Sequence, residues 1–304
     1  MTATLQYLFD ALSLGSLYAL GALGIALIFG VMRLVNFAHG DVMTFAIFVL
    51  IAPTTEAVAP LWVGAWSTPL LVLTVLIAGA ALSIVSEWLV FRHLRHATPA
   101  TTMMASFALG FVLQNTLLVL HSSRPKAVNL WPALSMPINL WGARVPGLQL
   151  LMIGITMVLL IGLAWMLKRS RVGLEMRVAA ENFDMARMLG VKANRVILVA
   201  FGLSGTLAAL IGLLLVSQTG LVDIRMGAPM MLVAFVATVI GGLGSLGGAV
   251  LGGFLIGAVS TALQVWLPLD ARAFRDAFVY LAVILLLLWR PDGLFVTSAV
   301  RQRV

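Results

Sequence analysis

Between Arg225 and Asp270 the chain runs for 44 residues without a formal charge. In water, such a run would leave an apolar surface larger than soluble monomers expose. In lipid, a helix needs about 20 apolar residues to cross the hydrocarbon. The run is too long for one crossing and suits two, turning at Gly241-Gly242-Leu243-Gly244-Ser245-Leu246-Gly247-Gly248. The rest of the sequence agrees with this reading. It is 62% hydrophobic and 10% charged, with a mean hydropathy of +1.08, whereas soluble domains carry about 25% charged residues. A soluble enzyme, a disordered chain and a secreted disulfide scaffold are excluded, and the absence of cysteine removes thiolate chemistry.

The apolar segments are continuous rather than alternating, so helices are expected rather than barrel strands. The spans predicted from the charge pattern fall near 5–30, 42–60, 68–90, 102–120, 149–167, 196–216, 229–246, 248–267 and 275–290. The fold class is therefore all-α, a polytopic membrane bundle of eight or nine transmembrane helices in a single domain over residues 1–304. Segment 42–60 is interrupted by Pro53, Glu56 and Pro60 and reads as broken or re-entrant. Orientation follows the basic residues of short loops. Placing Arg33, loops 91–101 and 168–195 and the C-terminal tail inside puts thirteen of nineteen Lys and Arg in the cytoplasm. No basic residue precedes Arg33, so the first segment reads as a span rather than a cleavable leader. The net charge of +8 is then a property of inner loops, and no nucleic-acid partner is expected. The outer connection 121–148 holds Pro125, Pro132, Pro137 and Pro146, which argue against regular helix, and Trp131 and Trp141, which suit interfacial anchoring.

Catalytic and metal sites need several His, Cys or carboxylate groups that can converge. Here four histidines and eleven acids are scattered, and His93 and His96 read as part of a solvated turn. No lysine is followed by Ser or Thr, so the phosphate-binding loop G-x-x-x-x-G-K-[ST] is absent. No enzymatic activity, metal or cofactor is expected. Any dependence on ATP would have to come from a partner. Ionisable groups inside spans mark ion-coupled carriers, and Asp10, Glu87, Arg275 and Asp276 all fall near span ends.

Three segments differ from generic lipid-facing helix. In Gly30–Asp41, polar Arg33, Asn36, His39 and Asp41 stand between two apolar runs. A cytoplasmic turn and a broken helix facing a cavity fit equally well. The glycines of 241–248 continue into Gly252, Gly253 and Gly257, giving two GxxxG patterns suited to tight helix packing; a mobile gate on the same glycines is the sharper alternative. In the inner loop, Met176, Ala179, Ala180, Phe183, Ala186 and Leu189 recur at helical spacing, with Arg177–Glu181 and Asp184–Arg187 as side-chain pairs and Gly190 as the stop. This predicts a short amphipathic helix whose apolar face packs on the membrane, on its own bundle or in a partner's groove. Acids interleaved with bases favour the partner over a lipid surface.

Gly24-Ile25-Ala26-Leu27-Ile28-Phe29-Gly30-Val31-Met32, Asn36-Phe37-Ala38-His39-Gly40-Asp41, Arg177-Val178-Ala179-Ala180-Glu181-Asn182, Ala186-Arg187-Met188-Leu189-Gly190-Val191, Ala234-Phe235, Val239–Gly253 and Arg290-Pro291-Asp292-Gly293-Leu294-Phe295 occur in this order. Together they resemble the permease subunits of branched-chain amino acid ABC importers, the shorter of the two paired permeases, over essentially the whole chain. Gly247 departs from the pattern, since many relatives place proline there. The resemblance implies a multi-pass protein of a bacterial inner membrane. Its implied partners are a second homologous permease, two cytoplasmic ATPases and a periplasmic solute-binding protein, with membrane lipid around them. The inner helix becomes a coupling helix, carried by Arg177, Ala179, Ala180, Glu181, Asn182, Phe183, Ala186, Leu189 and Gly190. Asn36, Phe37, His39 and Gly40, with Gly241, Gly242, Gly244, Gly247 and Gly248, are the candidates for the translocation path or gate.

The nearest alternative is an importer of urea, short-chain amides or other organic solutes in the same superfamily. An ion-coupled secondary transporter would need an intramembrane ion site. A channel of the aquaporin kind would need a second copy of the Asn36-Phe37-Ala38 turn.

Overall fold

The computed structural model describes residues 2–54, 56, 61, 67–95, 97–128, 130–131, 134, 136–140, 143–181, 183–290 and 293–294. The chain is all-α with short extended pieces. In order it forms α1 (Thr2–Met32), α2 (His39–Phe48), α3 (Thr68–Leu89), α4 (Pro99–His121), α5 (Gly147–Arg169), α6 (Arg171–Glu181), α7 (Phe183–Met188), α8 (Ala193–Thr219), α9 (Gly227–Gly241), α10 (Leu246–Trp266) and α11 (Arg275–Trp289). Six of these, α1, α3, α4, α5, α8 and α10, are long and apolar enough to cross a membrane. The chain is thus a multi-pass membrane protein. Helices α9 and α11 have 15 residues each, and at 1.5 Å per residue they fall short of a core about 30 Å thick.

One expected span is cut short. Among its described residues, segment 42–60 is helical only as far as Phe48, because α2 has 10 residues and starts at His39. Beyond it the chain turns, and Ile51 bridges to Leu61. The connection between α4 and α5 contains no α-helix among its described residues. It holds β1 (Lys126–Ala127) and a hairpin of β2 (Pro137–Leu140) and β3 (Ala143–Pro146). β1 pairs antiparallel with β4 (Leu221–Val222). Trp141 lies outside the described residues.

The helices assort into two compact units. The first comprises Met1–Ala26, Trp131–Trp165 and Val233–Val304; the second comprises Leu27–Leu130 and Met166–Leu232.

In the first unit, α9 and α10 form a hairpin closed by backbone contact. A Cβ on Gly248 would lie 2.9 Å from the carbonyl carbon of Gly241, and one on Gly252 would lie 3.1 Å from that of Ala237. The other pattern on α10 faces α1: a Cβ on Gly253 would meet the Tyr18 carbonyl carbon at 2.7 Å, and one on Gly257 the Ala11 oxygen at 3.1 Å. Two GxxxG rows, about 100° apart around one helix, therefore serve two neighbours. In lipid, where burying apolar surface drives little association, such close approach supplies the van der Waals contact that holds helices together. Gly242 and Gly244 take φ of +99° and +90°, so the turn uses left-handed backbone. Ser245 caps α10, its Oγ accepting from the Gly248 N–H at 3.1 Å. The C-terminal motif returns to this place. Leu294 N–H donates to the Ile240 carbonyl at 2.7 Å and satisfies a free group at the end of α9.

The second unit is built around α8, which packs along α3 and α2. Gly79 and Gly205 let α3 and α8 touch through their backbones, with Ser83 and Ala209 one turn away. In the same unit, Lys126 is fully buried and its Nζ donates to the carbonyls of Thr54 and of Glu56. Burial pushes this ammonium below its usual range, opposed by the charge of Glu56.

Gly247 occupies the first turn of α10 with open space around its Cβ position, where proline is tolerated. Gly247→Pro is therefore expected to leave stability unchanged or raise it by up to about 1 kcal/mol. Gly248→Ala should lower it by about 1–3 kcal/mol, since the added methyl meets backbone that cannot yield. Thermal unfolding of the two variants in detergent micelles checks the pair.

Candidate functional site

Helix α1 ends where Arg33 adopts φ +54°. Arg33 N–H still donates to the Phe29 carbonyl at 2.8 Å, and from there to Ala38 the backbone is not helical. Asn36 re-forms the turn. Its Oδ1 accepts from the Ala38 N–H at 3.1 Å and its carbonyl from the His39 N–H at 3.3 Å, the local side-chain bonding that lets Asn replace a helical turn. Helix α2 then begins, and His39, Gly40 and Asp41 in its first turn are all buried.

Burial at a helix break requires partners for each polar group, and the second unit provides most of them. Phe37 N–H donates to Ser106 Oγ at 3.2 Å, and the Phe37 ring stacks on Phe107 at 4.3 Å between centroids. Asp41 Oδ1 accepts from Gln114 Nε2 at 2.7 Å. Its other carboxylate oxygen lies against Gly110, where any Cβ would overlap it. Its negative charge also suits the amino end of α2. His39 Nδ1 and Ser204 Oγ share a hydrogen bond of 3.1 Å, while the buried Nε2 has no partner among the described residues. Gly40 meets Gly227, whose carbonyl carbon would stand 2.8 Å from a Cβ there. The element is therefore a broken helix inside the protein rather than a solvated turn.

Of the candidate path residues, Asn36, Phe37, His39 and Gly40 are gathered in the second unit, and Gly241, Gly242, Gly244, Gly247 and Gly248 form the turn of the first. Asp41, which the sequence placed in the same element, belongs with the first group, and so do Ser106, Gly110, Gln114 and Ser204, which were not singled out from the sequence. Gln114 carried a usable signal, since Gln114-Asn115 interrupts an apolar run with two amides. Ser106, Gly110 and Ser204 carried none, because small residues populate every span. The expectation that ionisable groups keep to span ends also needs correction, since His39 and Asp41 are buried in α2.

The inner segment is helical over Arg171–Glu181 and Phe183–Met188; Asn182 between them lies outside the described residues, as do the side chains of Glu181, Phe183, Asp184 and Arg187. Gly190 does stop α7. Its φ is +84°, and the Val191 N–H donates back to the Ala186 carbonyl at 3.0 Å. Burial follows the expected apolar face up to its last residue. Met176, Ala179 and Ala186 are buried, and Ala180 is half-buried, whereas Leu189 is 73% and Met188 89% exposed. Arg177 is exposed, its Nη2 donating to the Lys168 carbonyl at 3.4 Å.

The sequence matches the family described as branched-chain amino acid transport system / permease component over residues 7–288. The chain belongs to this family. It is 32% identical over 302 residues to the high-affinity branched-chain amino acid transport system permease protein BraD of Pseudomonas aeruginosa, covering 95% of each chain. It is 28% identical over 301 residues to the corresponding permease protein LivH of Escherichia coli, covering 95% of this chain and 94% of that one. A shorter stretch, 136 residues at 32% identity and 42% of this chain, is similar to the autoinducer 2 import system permease protein LsrC of Photorhabdus luminescens. These relatives are named as transport permeases.

Two substitutions test what seats α2. Gln114→Leu leaves a buried carboxylate short of a donor, and Gly110→Ala drives a methyl into it. Each should cost about 1–3 kcal/mol, read as a lowered midpoint of thermal unfolding in micelles. Unchanged midpoints in both would show that this cluster does not hold the helix.

Proposed function

We propose that the chain, acting as one permease domain over residues 1–304, is a membrane subunit of an ATP-driven importer of branched-chain or related amino acids in a bacterial inner membrane. The observation that carries this is family membership over residues 7–288, with relatives named for that transport aligned along nearly the whole chain. In this reading a second homologous permease completes the translocation unit. Two cytoplasmic ABC ATPases supply the energy by hydrolysing ATP, and a periplasmic binding protein delivers the solute and does most of the selecting. The ATPase docks on the α6–α7 segment, from Arg177 through Ala179, Ala180, Glu181, Asn182 and Phe183 to Gly190. The exposed Met188 and Leu189 at the end of α7 are the apolar anchors.

The path runs past the broken helix at Asn36–Asp41, where hydrogen-bonding groups lie buried at membrane depth. The turn at Gly241–Gly248 is the second candidate gate. Partial similarity to a permease named for a different cargo supports treating the shared motifs as architectural, which leaves urea, amides or other organic solutes as the alternative. Thermal-shift screening of the associated binding protein against leucine, isoleucine, valine and urea separates the two.

Affinity purification of the tagged chain should recover an ATPase and a second permease. Leu189→Asp or Glu181→Lys should reduce ATPase recovery or ATP-coupled uptake about tenfold without blocking membrane insertion. Uptake by the chain alone, driven by an ion gradient in liposomes, would overturn the reading.

A further inference from the structure

At the carboxyl end of α3 lies an arrangement that the family motifs do not include. Glu87 occupies the last turn of α3 with its side chain 1% exposed. A carboxylate is unwelcome there twice over, since the helix end already presents free carbonyls and burial removes water from the charge. Arg95 answers it with an ion pair, and its Nη1 donates to Asn194 Oδ1 at 2.5 Å. The turn between them, Phe91–Leu94, is pinned to the same helix as Asn194, because the buried rings of Phe91 and Phe201 lie 5.3 Å apart.

Asn194 is the second residue of α8, four residues beyond Gly190, which ends α7. Further along α8, Ser204 holds His39 of α2, and Gly205 touches Gly79 of α3. One guanidinium thus ties the end of α3 to the start of α8, just where the inner segment enters it. A buried ion pair is a costly way to gain stability, and its best-attested use is to fix one arrangement among several.

We propose that Arg95 is a positioning residue for coupling. Held by Glu87 and holding Asn194, it clamps the start of α8 to α3, so that movement of α6–α7 displaces the α3–α8 pair together instead of being absorbed in the Val191–Lys192 link. This rests on the docking role given to α6–α7 above.

The test uses the complete assembly of permeases, ATPases and binding protein in proteoliposomes, measuring ATP hydrolysis together with uptake of radiolabelled leucine, isoleucine or valine. Asn194→Ala removes only the second half of the clamp and leaves the Glu87–Arg95 pair intact. It should keep ATP hydrolysis while lowering solute moved per ATP about threefold or more. Asn194→Asp, which retains an acceptor for Arg95, should restore the ratio. An unchanged ratio in Asn194→Ala overturns the proposal, as does an equal loss in Asn194→Asp. A wild-type assembly that moves none of the three amino acids with ATP sinks the docking reading itself, a result distinct from an unchanged ratio in a working complex.

Discussion

Everything in this protein depends on how helices hold each other where no water is displaced. In hydrocarbon the contact of two leucine-covered helices gains little over contact with lipid, so association rests on close van der Waals packing and on polar groups with no better partner. The chain meets this with missing side chains. Gly241, Gly248 and Gly252 bring α9 onto α10, Gly253 and Gly257 bring α10 onto α1, and Gly79 with Gly205 brings α3 onto α8. Each is a place where backbone lies on backbone, and each fixes a crossing that larger residues would open.

Against that packing, the interruption between α1 and α2 stands out. A non-helical segment in a membrane protein exposes peptide groups that lipid cannot satisfy, so it persists only where side chains replace the lost bonds. Asn36 and Ser106 do this for the backbone, and Gln114 and Ser204 do it for the side chains of Asp41 and His39. The polar cluster and the glycine crossings work together: Gly110 is bare because a carboxylate needs its space, and Gly40 is bare because Gly227 does. Such an element is expensive to keep in a bundle that needs stability alone, which is why the path is assigned to it.

Much of this was legible beforehand, and unevenly so. The charge-free run from 226 to 269 gave two apolar helices and their turn, because length against bilayer thickness leaves little choice. Gly190 gave the end of α7, because a left-handed stop needs glycine. The GxxxG spacings gave close packing without naming the neighbours. In the inner segment the apolar spacing agrees with burial at Met176, Ala179 and Ala186 and not at Leu189, which is exposed just beyond the end of α7. The clamp at Arg95 left no trace at all. Glu87 and Arg95 are eight residues apart and Asn194 a further ninety-nine, and nothing in a single sequence marks side chains that meet only after α3 and α8 have docked.

By itself, then, the sequence determined the solvent, the helical class, the approximate spans and the family, because each follows from hydrophobic length, local turn chemistry or ordered motifs along the chain. Only the tertiary structure decided that α2 is a short buried helix, which glycine row faces which neighbour, and which polar side chains are paired inside. Those outcomes depend on groups brought together across the bundle, where a hydrogen bond or the absence of a Cβ counts only once its partner has arrived.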